Sequence, residues 1–194
     1  IEYWSMLRGL RAIEQSDIAV VMLDATEGIV IQDEHIAGYI LEEKKGLILA
    51  INKIDLIDEE EQETLLRKIK YQMGFLPWAP AVLTSAKTGE NINVILNLSM
   101  EILEERKKMV HPGLLKELLK EATLYHLPKG KGYTNIKFFD IEQKANDYPT
   151  FIITANYPEM VHFSYRRYLE KKIRKDFGFN GTAISLIFQK KLKK

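Results

Sequence analysis

Apolar residues in the first half of the chain switch repeatedly between helical and strand-like spacing. Every third position from Trp4 to Ile13 is apolar, which predicts an amphipathic helix at 3–14. The stretch 17–25 is mostly apolar and rich in β-branched residues, which predicts a strand covered on both faces. The patterns then alternate, and the further elements that they predict are strands at 46–51 and 79–84 and helices at 36–43, 59–73 and 90–108. This alternation indicates an α/β fold in which a parallel sheet carries helices on its faces.

The second half of the chain has a different order of elements. A helix is predicted to begin near Pro112, and one face of it carries Leu114, Leu115, Leu118, Leu119 and Ala122. Strands are predicted at 133–141, 150–155 and 183–189, and a long helix at 159–177 that ends at Gly178. This α-β-β-α-β order indicates a small α+β domain, so we expect two domains, at 1–109 and 110–194. The residues expected to form the core of the second domain are Leu115, Leu118, Leu119, Phe138, Ile152, Leu169, Ile173 and Leu186.

The net charge of +1 conceals an asymmetry between the two predicted domains. Residues 1–109 contain 12 Lys or Arg and 19 Asp or Glu, whereas residues 110–194 contain 16 and 8. A basic second domain is a candidate for contact with a polyanion. Its long helix places four basic residues on one face as possible RNA contacts, although such a face is equally typical of a solvated surface; they are Arg167, Lys171, Arg174 and Lys175. Tyr165 and Tyr168 have the spacing of core residues.

Several classes of protein and site are disfavoured by composition. The longest apolar runs are strand-sized, so we expect no membrane-spanning segment. The absence of cysteine excludes disulfides and cysteine-ligated metal, and the four histidines lack metal-ligand spacing, so no metal site is predicted. The sequence begins with neither methionine nor a secretory signal, which indicates a piece of a longer protein, with the cytoplasm as the default location.

Two polar motifs follow neighbouring strands of the predicted sheet. Asn52-Lys53-Ile54-Asp55 comes directly after the second strand, and Ser85-Ala86-Lys87 follows the third. Loops that leave the carboxyl ends of parallel strands converge on one crevice, so we expect the two motifs to meet in space. Asn-Lys-x-Asp alone is weak evidence because Asn and Asp are common turn formers. The second motif, at the next strand end, makes a shared binding site the stronger interpretation.

Together the motifs resemble the base-recognition elements of the translation-factor class of GTPases. A carboxylate at Asp55 would accept hydrogen bonds from guanine N1–H and its exocyclic amine, which adenine does not offer. The resemblance implies that Asn52 holds the purine N7 side and braces the neighbouring loop, and that the Ala86 N–H meets guanine O6. The stems of Lys53 and Lys87 would flank the base plane. The cofactor expected on this basis is GTP or GDP.

The phosphate-binding side of such a site has no counterpart in the sequence. Neither a G-x-x-x-x-G-K-(S/T) loop nor a D-x-x-G turn occurs, so ligands for the phosphates and for the Mg²⁺ of an intact GTPase are not predicted here. We therefore expect the base-recognition half of a longer GTPase, unable to hydrolyse GTP by itself. Asp24 also ends a strand, before Thr26, Glu27 and Gly28, and there we expect a helix cap rather than a nucleotide ligand.

The second half resembles the C-terminal KH-like domain of the Der (EngA) family of GTPases. The stretches that carry this resemblance are 158–170, 177–182 and 184–188, and residues 24–28 and 32–33 are similar to the second GTPase domain of that family. One departure is Ile54, where the family usually carries Trp. The resemblance implies part of a P-loop-GTPase-like parallel sheet followed by a KH-like domain. It also implies preceding GTPase domains and a role in ribosome biogenesis, in maturation of the large ribosomal subunit and with rRNA as a partner.

Two alternatives remain open at this stage. One is the Era family, in which a single GTPase domain precedes a KH domain, and the other is an RNA-binding or protein-docking module without a nucleotide role. A true KH domain clamps RNA with a Gly-x-x-Gly loop between two helices. The only match, Gly178-Phe179-Asn180-Gly181, leads from a helix into a strand, so we expect it to be a helix end and turn.

Overall fold

The computed structural model describes residues 2–128 and 135–191, and for residues 2–6 it describes the backbone only. These residues form two compact units. The first comprises the chain up to residue 106 together with residues 180–183, and the second comprises residues 107–179 and those from 184 onward. The division of domains after residue 109 remains a prediction.

A parallel sheet of three strands lies at the centre of the first unit. The strands are β1 (Ile18–Asp24), β2 (Gly46–Asn52) and β3 (Ala81–Leu83), in the order β1-β2-β3. Asp24 pairs with Asn52 and Ile51 pairs with Leu83, so all three strands end at the same edge. The predicted parallel sheet is confirmed, and its carboxyl edge brings the two polar motifs together.

Helices cover the sheet of the first unit from both sides. Alternate residues of β2, such as Leu47, Leu49 and Ile51, pack into one core with the helices α2 (Ile31–Glu42) and α3 (Glu59–Gln72). Ile48 faces the opposite side, where it packs with Val82 and with Ile102 of the helix α4 (Ile92–Lys107). The helices of this unit are α1 (Glu2–Gln15), α2 (Ile31–Glu42), α3 (Glu59–Gln72) and α4 (Ile92–Lys107).

Three predictions for the first unit are corrected by the structure. β1 is not covered on both faces, because Val20 is 42% exposed and Met22 is 58% exposed. Neither residue belongs to the apolar cluster that α4 forms with β2 and β3. Helix α2 begins five residues earlier than predicted, at Ile31, because the Asp33 carboxylate accepts a hydrogen bond from the Val30 N–H at 3.0 Å and caps the helix start. Strand β3 has three residues rather than the six predicted.

The second unit contains a mixed sheet with two helices packed against it. Strand β5 (Thr150–Ala155) pairs antiparallel with β4 (Phe138–Lys144) and parallel with β6 (Ser185–Lys190). The order α-β-β-α-β is confirmed, and its core joins both helices to the sheet through residues such as Leu115, Ile153 and Leu169. The elements are α5 (Pro112–Tyr125), β4 (Phe138–Lys144), β5 (Thr150–Ala155), α6 (Phe163–Phe177) and β6 (Ser185–Lys190).

Some expectations for the second unit were wrong. The long helix does not begin at residue 159, because a 3-10 turn (Pro158–Met160) precedes it and His162 caps α6 by accepting the Ser164 N–H at Nδ1. Leu114 is 49% exposed and does not belong to the buried face of α5. Ile152 is buried but lies outside the core formed by its neighbours on β5. Residues 133 and 134 of the predicted first strand lie outside the described residues.

The Gly-x-x-Gly stretch forms a helix end and a turn, as expected. Gly178 ends α6 with a φ of 88°, and Gly181 has a φ of 69°. The Gly181 N–H donates to Trp78 O and its carbonyl accepts the Leu47 N–H, both at 2.8 Å. A Cβ at Gly181 would lie 2.3 Å from Ile102, so this turn position requires glycine for space as well as for its backbone angle.

Candidate guanine-recognition site

The loop that follows β2 has a conformation that directs the Asp55 side chain toward the end of β3. Lys53 adopts a left-handed backbone conformation with a φ of 69°, and a 3-10 turn (Ile54–Leu56) follows it. Ile54 is 4% exposed, packs into the core of the unit, and its N–H donates to Thr84 O at 3.2 Å. Ile54 is the position at which the Der family usually carries Trp, and its buried side chain anchors the motif in the core.

Asp55 and Ser85 join the two motifs through their side chains. The Ser85 hydroxyl donates to Asp55 Oδ1 at 2.6 Å, and Ser85 is fully buried. The same hydroxyl accepts the Thr88 N–H at 3.2 Å, which fixes its direction. Lys87 Nζ lies 4.0 Å from Asp55 Oδ2, and the aspartate side chain is 16% exposed. The carboxylate is therefore oriented by one oxygen, and the other oxygen retains the capacity to accept further hydrogen bonds.

Asn52 provides a second connection between the motifs. The Ala86 N–H donates to Asn52 Oδ1 at 2.9 Å, and Asn52 Nδ2 lies 3.7 Å from Met22 Sδ on β1. The bracing role expected of Asn52 matches this arrangement. The contact expected between the Ala86 N–H and guanine O6 stays a prediction, and it would require this N–H to be shared with Asn52 Oδ1.

Asp24 belongs to this cluster of side chains, although sequence reasoning expected it to cap a helix. That expectation was wrong, because α2 begins only at Ile31. The Asp24 carboxylate forms an ion pair with Lys53 and accepts hydrogen bonds from the Thr26 N–H at 2.9 Å and hydroxyl at 2.7 Å. The hydrogen bond from Lys53, supported by those from Thr26, lowers the pKa of Asp24 to about 2. Its position at the end of a strand beside the Asn-Lys-x-Asp strand was the signal in the sequence.

The two lysines of the motifs remain accessible. The Lys53 side chain is 50% exposed and the Lys87 side chain is 80% exposed. An acceptor carboxylate in a loop region that also carries two accessible long cationic side chains suits a flat, polar heterocycle that donates hydrogen bonds from one edge. Ser85 and Asn52 supply the rigidity that such recognition needs.

The four basic residues predicted to share a face of α6 are not equivalent in the structure. Arg167, Lys171 and Lys175 are exposed. The Arg174 side chain is only 12% exposed, donates to Glu170 at 2.8 and 3.0 Å, and donates to Phe179 O at 2.6 Å. Burial lowers the pKa of Arg174. Its guanidinium therefore makes contacts within the fold, whereas the other three cations face solvent.

No helix within the described ranges is long and apolar enough to cross a membrane.

Two family models match this chain, over regions that overlap at residues 110–123. Residues 6–123 match the GTP-binding domain of elongation factor Tu, and residues 110–189 match the KH-domain-like C-terminal domain of EngA bacterial GTPase enzymes. GTPase Der of Thermomicrobium roseum is 40% identical over 195 residues, which cover 98% of this chain and 42% of that protein. GTPase Der of Fusobacterium nucleatum is also 40% identical, over 98% of this chain and 44% of that protein. The chain thus spans less than half the length of these curated relatives.

Among solved structures, Era of Aquifex aeolicus bound to GDP and AlF4− aligns with 95% of this chain and 68% of its own, at a TM-score of 0.44 and 21% identity.

Proposed function

The chain belongs to the Der (EngA) family of GTP-binding proteins and corresponds to its C-terminal portion, and from this premise we propose that its first unit recognises the guanine base of GTP and GDP. The residues proposed to form the site are Asn52, Lys53, Asp55, Ser85, Ala86 and Lys87. Because the chain belongs to the Der family, we no longer consider the alternative of an Era-like protein.

The observation that carries this proposal is the hydrogen bond of 2.6 Å from the buried Ser85 hydroxyl to Asp55 Oδ1. This hydrogen bond orients the Asp55 carboxylate, whose Oδ2 would accept hydrogen bonds from the N1–H and the exocyclic amine of guanine. Adenine presents an acceptor at N1 and carries no amine at C2, so it would leave the carboxylate unpaired. Sites of this kind discriminate by about 10⁴-fold against a ligand that lacks the partner groups.

The side chains around Asp55 would hold the remaining edges of the base. Asn52 Nδ2 faces Met22 Sδ, a weak acceptor, and would exchange this contact for purine N7. The exposed methylenes of Lys53 and Lys87 would cover the two faces of the ring while their charges stay in water. GTP would supply the phosphate chain, and the residues that hold the phosphates and Mg²⁺ are proposed to lie in the part of the full-length protein outside these 194 residues.

The test is a competition assay on the full-length gene product. A fluorescent GDP derivative is displaced with GDP, IDP and ADP, where IDP differs from GDP only by lacking the exocyclic amine. We expect GDP to compete best, IDP to compete more weakly, and ADP to fail at concentrations about 10³-fold higher. Equal competition by ADP would contradict guanine recognition. Failure of the protein to bind the fluorescent GDP at all would favour a module without a nucleotide role.

We further propose that the second unit acts in ribosome biogenesis by contacting rRNA of the large subunit through α6. Arg167, Lys171 and Lys175 are exposed and follow one another at intervals of about one turn, which gives α6 a stripe of positive charge. Cations of this kind bind nucleic acid by neutralising its phosphates. Arg174 is excluded from the proposed contact because its guanidinium is bonded to Glu170 and Phe179.

Reversal of the three exposed charges to glutamate tests this contact. The matched control reverses three exposed lysines on other elements of the same unit, Lys116, Lys120 and Lys144. Binding of the full-length protein to large-subunit particles should weaken, and the slope of log K against log salt should fall by about 2, only in the α6 variant. Equal effects in both variants would indicate a general charge effect, and no effect in either would remove α6 from the proposed RNA surface.

A further inference from the structure

We propose that Asp24 is a positioning residue of the nucleotide site, which holds the Lys53 side chain in place for contact with the face of the guanine base. This inference rests on the guanine recognition proposed above. It adds to the site a residue that lies in neither motif and that is 28 positions before Asn52 in the sequence.

The position of Asp24 follows from the register of the sheet. Asp24 is the last residue of β1 and lies directly opposite Asn52, the last residue of β2. The chain stays paired for one residue beyond the strand, because the Ala25 N–H donates to Asn52 O at 2.9 Å. The carboxylate of Asp24 therefore lies next to the first side chain after β2, which is Lys53.

The Asp24 carboxylate is held from its own side by a tight turn. Its Oδ1 accepts both the N–H and the hydroxyl of Thr26, and its main-chain carbonyl accepts the Gly28 N–H at 2.8 Å. Gly28 has a φ of 76°, a conformation that glycine adopts without strain. Oδ2 is thereby directed at Lys53 Nζ, with which it forms the ion pair.

Lys53 needs such a partner more than most lysines do. Its backbone is in the left-handed region, which fixes the direction of its Cβ but not the four torsions beyond it. The side chain is half exposed, so without Asp24 it would sample solvent and would have to be ordered again each time a nucleotide binds. The ion pair orders the lysine in advance and leaves half of its side chain accessible to a ligand.

Asp24→Asn tests this role, because it keeps the shape and the Thr26 turn but removes the charge that holds Lys53. Dissociation of fluorescent GDP from the full-length protein should become about two- to five-fold faster, as expected for a partly exposed ion pair. Lys53→Met should have an equal or larger effect, and the double variant should dissociate no faster than Lys53→Met alone. Asp17→Asn, just before the opposite end of β1, is the matched control and should behave as the wild type.

A second readout separates positioning from a structural role. The ratio of GDP to IDP affinity reports the hydrogen bond between the exocyclic amine and Asp55, and it should not change in Asp24→Asn. A variant that merely disturbed the loop would lower that ratio together with the affinity. Additive effects of Asp24→Asn and Lys53→Met, wild-type dissociation in Asp24→Asn, or a lowered GDP-to-IDP ratio would each overturn the proposal.

The outcome for the wild type distinguishes this inference from the function on which it rests. If the wild-type protein does not prefer GDP to ADP, guanine recognition fails. If it prefers GDP and Asp24→Asn leaves dissociation unchanged, only the role of Asp24 fails.

Discussion

Removal of the Ser85 hydroxyl should weaken guanine binding without removing the residue that contacts the base. In Ser85→Ala the Asp55 carboxylate loses its donor at 2.6 Å, and the Thr88 N–H loses its acceptor at 3.2 Å. The carboxylate then has to be ordered by the nucleotide itself. Ordering one such side chain costs about 0.5–1.5 kcal/mol, which corresponds to a two- to twelve-fold rise in the Kd for GDP.

The same substitution should also lower the stability of the fold. Hydrogen bonds to charged groups contribute about 1.5–3 kcal/mol, and the value for Ser85 should lie at the lower end because the Asp55 side chain is 16% exposed. Urea unfolding should therefore show a loss of about 1.5–2 kcal/mol. The affinity is measured by displacement of fluorescent GDP at temperatures where both proteins are fully folded.

Ser99→Ala is the matched control for this experiment. The Ser99 hydroxyl donates to Ile95 O within α4 at 2.8 Å, so its loss removes a hydrogen bond of similar length outside the site. In an Asp55→Ala background, Ser85→Ala should no longer change the affinity. The reasoning would be refuted if Ser85→Ala bound GDP as tightly as Ser99→Ala does, or if its effect persisted without the Asp55 carboxylate.

Three further predictions concern the fold. Gly181→Ala should lower the free energy of unfolding by about 2–5 kcal/mol in a urea titration, because it places an alanine in a left-handed conformation and its Cβ 2.3 Å from Ile102. Gly89 has a similar φ but no atom within 4 Å of an added Cβ, so Gly89→Ala should cost only about 1–2 kcal/mol in the same titration. Burial raises the pKa of Tyr165 to about 12 from its ordinary value of 10.0. The contribution of the neutral Tyr165 side chain to the stability of the fold is therefore complete below pH 10 and is lost as the pH rises toward 12. Unfolding followed by circular dichroism should show that Tyr165→Phe weakens this loss of stability at alkaline pH. Arg174→Met should cost about 1–3 kcal/mol and Lys175→Met less than about 0.5 kcal/mol, and equal melting temperatures for the two variants would contradict the structural assignment of Arg174.

The sheet and the pairing of motifs were predictable because they depend on local patterns. Long apolar runs specify buried strands, and polar residues at their carboxyl ends must converge when the strands are parallel. The exposure of Val20 was not predictable, since it depends on how far α4 extends over the sheet. The starts of α2 and α6 were misplaced because of the residues that cap them. Asp33 lies inside the first turn of α2, after the apolar run 29–31, and His162 is an uncommon capping residue.

The pairing of Asp24 with Lys53 could not be read from either residue alone. It depends on the register between β1 and β2 and on the left-handed conformation of Lys53, and neither leaves a pattern in the sequence. A carboxylate at a strand end is also a common helix cap, which made the local interpretation the more obvious one. The contact between Asp24 and Lys53 therefore depends on how β1 and β2 pair in the folded protein.

The central claim, that Asp55 reads the guanine base, is tested most directly by exchanging its acceptor for a donor. Asp55→Asn presents an amide N–H₂ where the carboxylate accepted hydrogen bonds, and xanthine offers a carbonyl at the edge where guanine carries its amine. Competition binding with GDP, XDP and ADP on the full-length protein should show that preference moves from GDP to XDP by about 10²-fold or more, with ADP excluded in both proteins. A variant that still preferred GDP to XDP as strongly as the wild type would contradict the account.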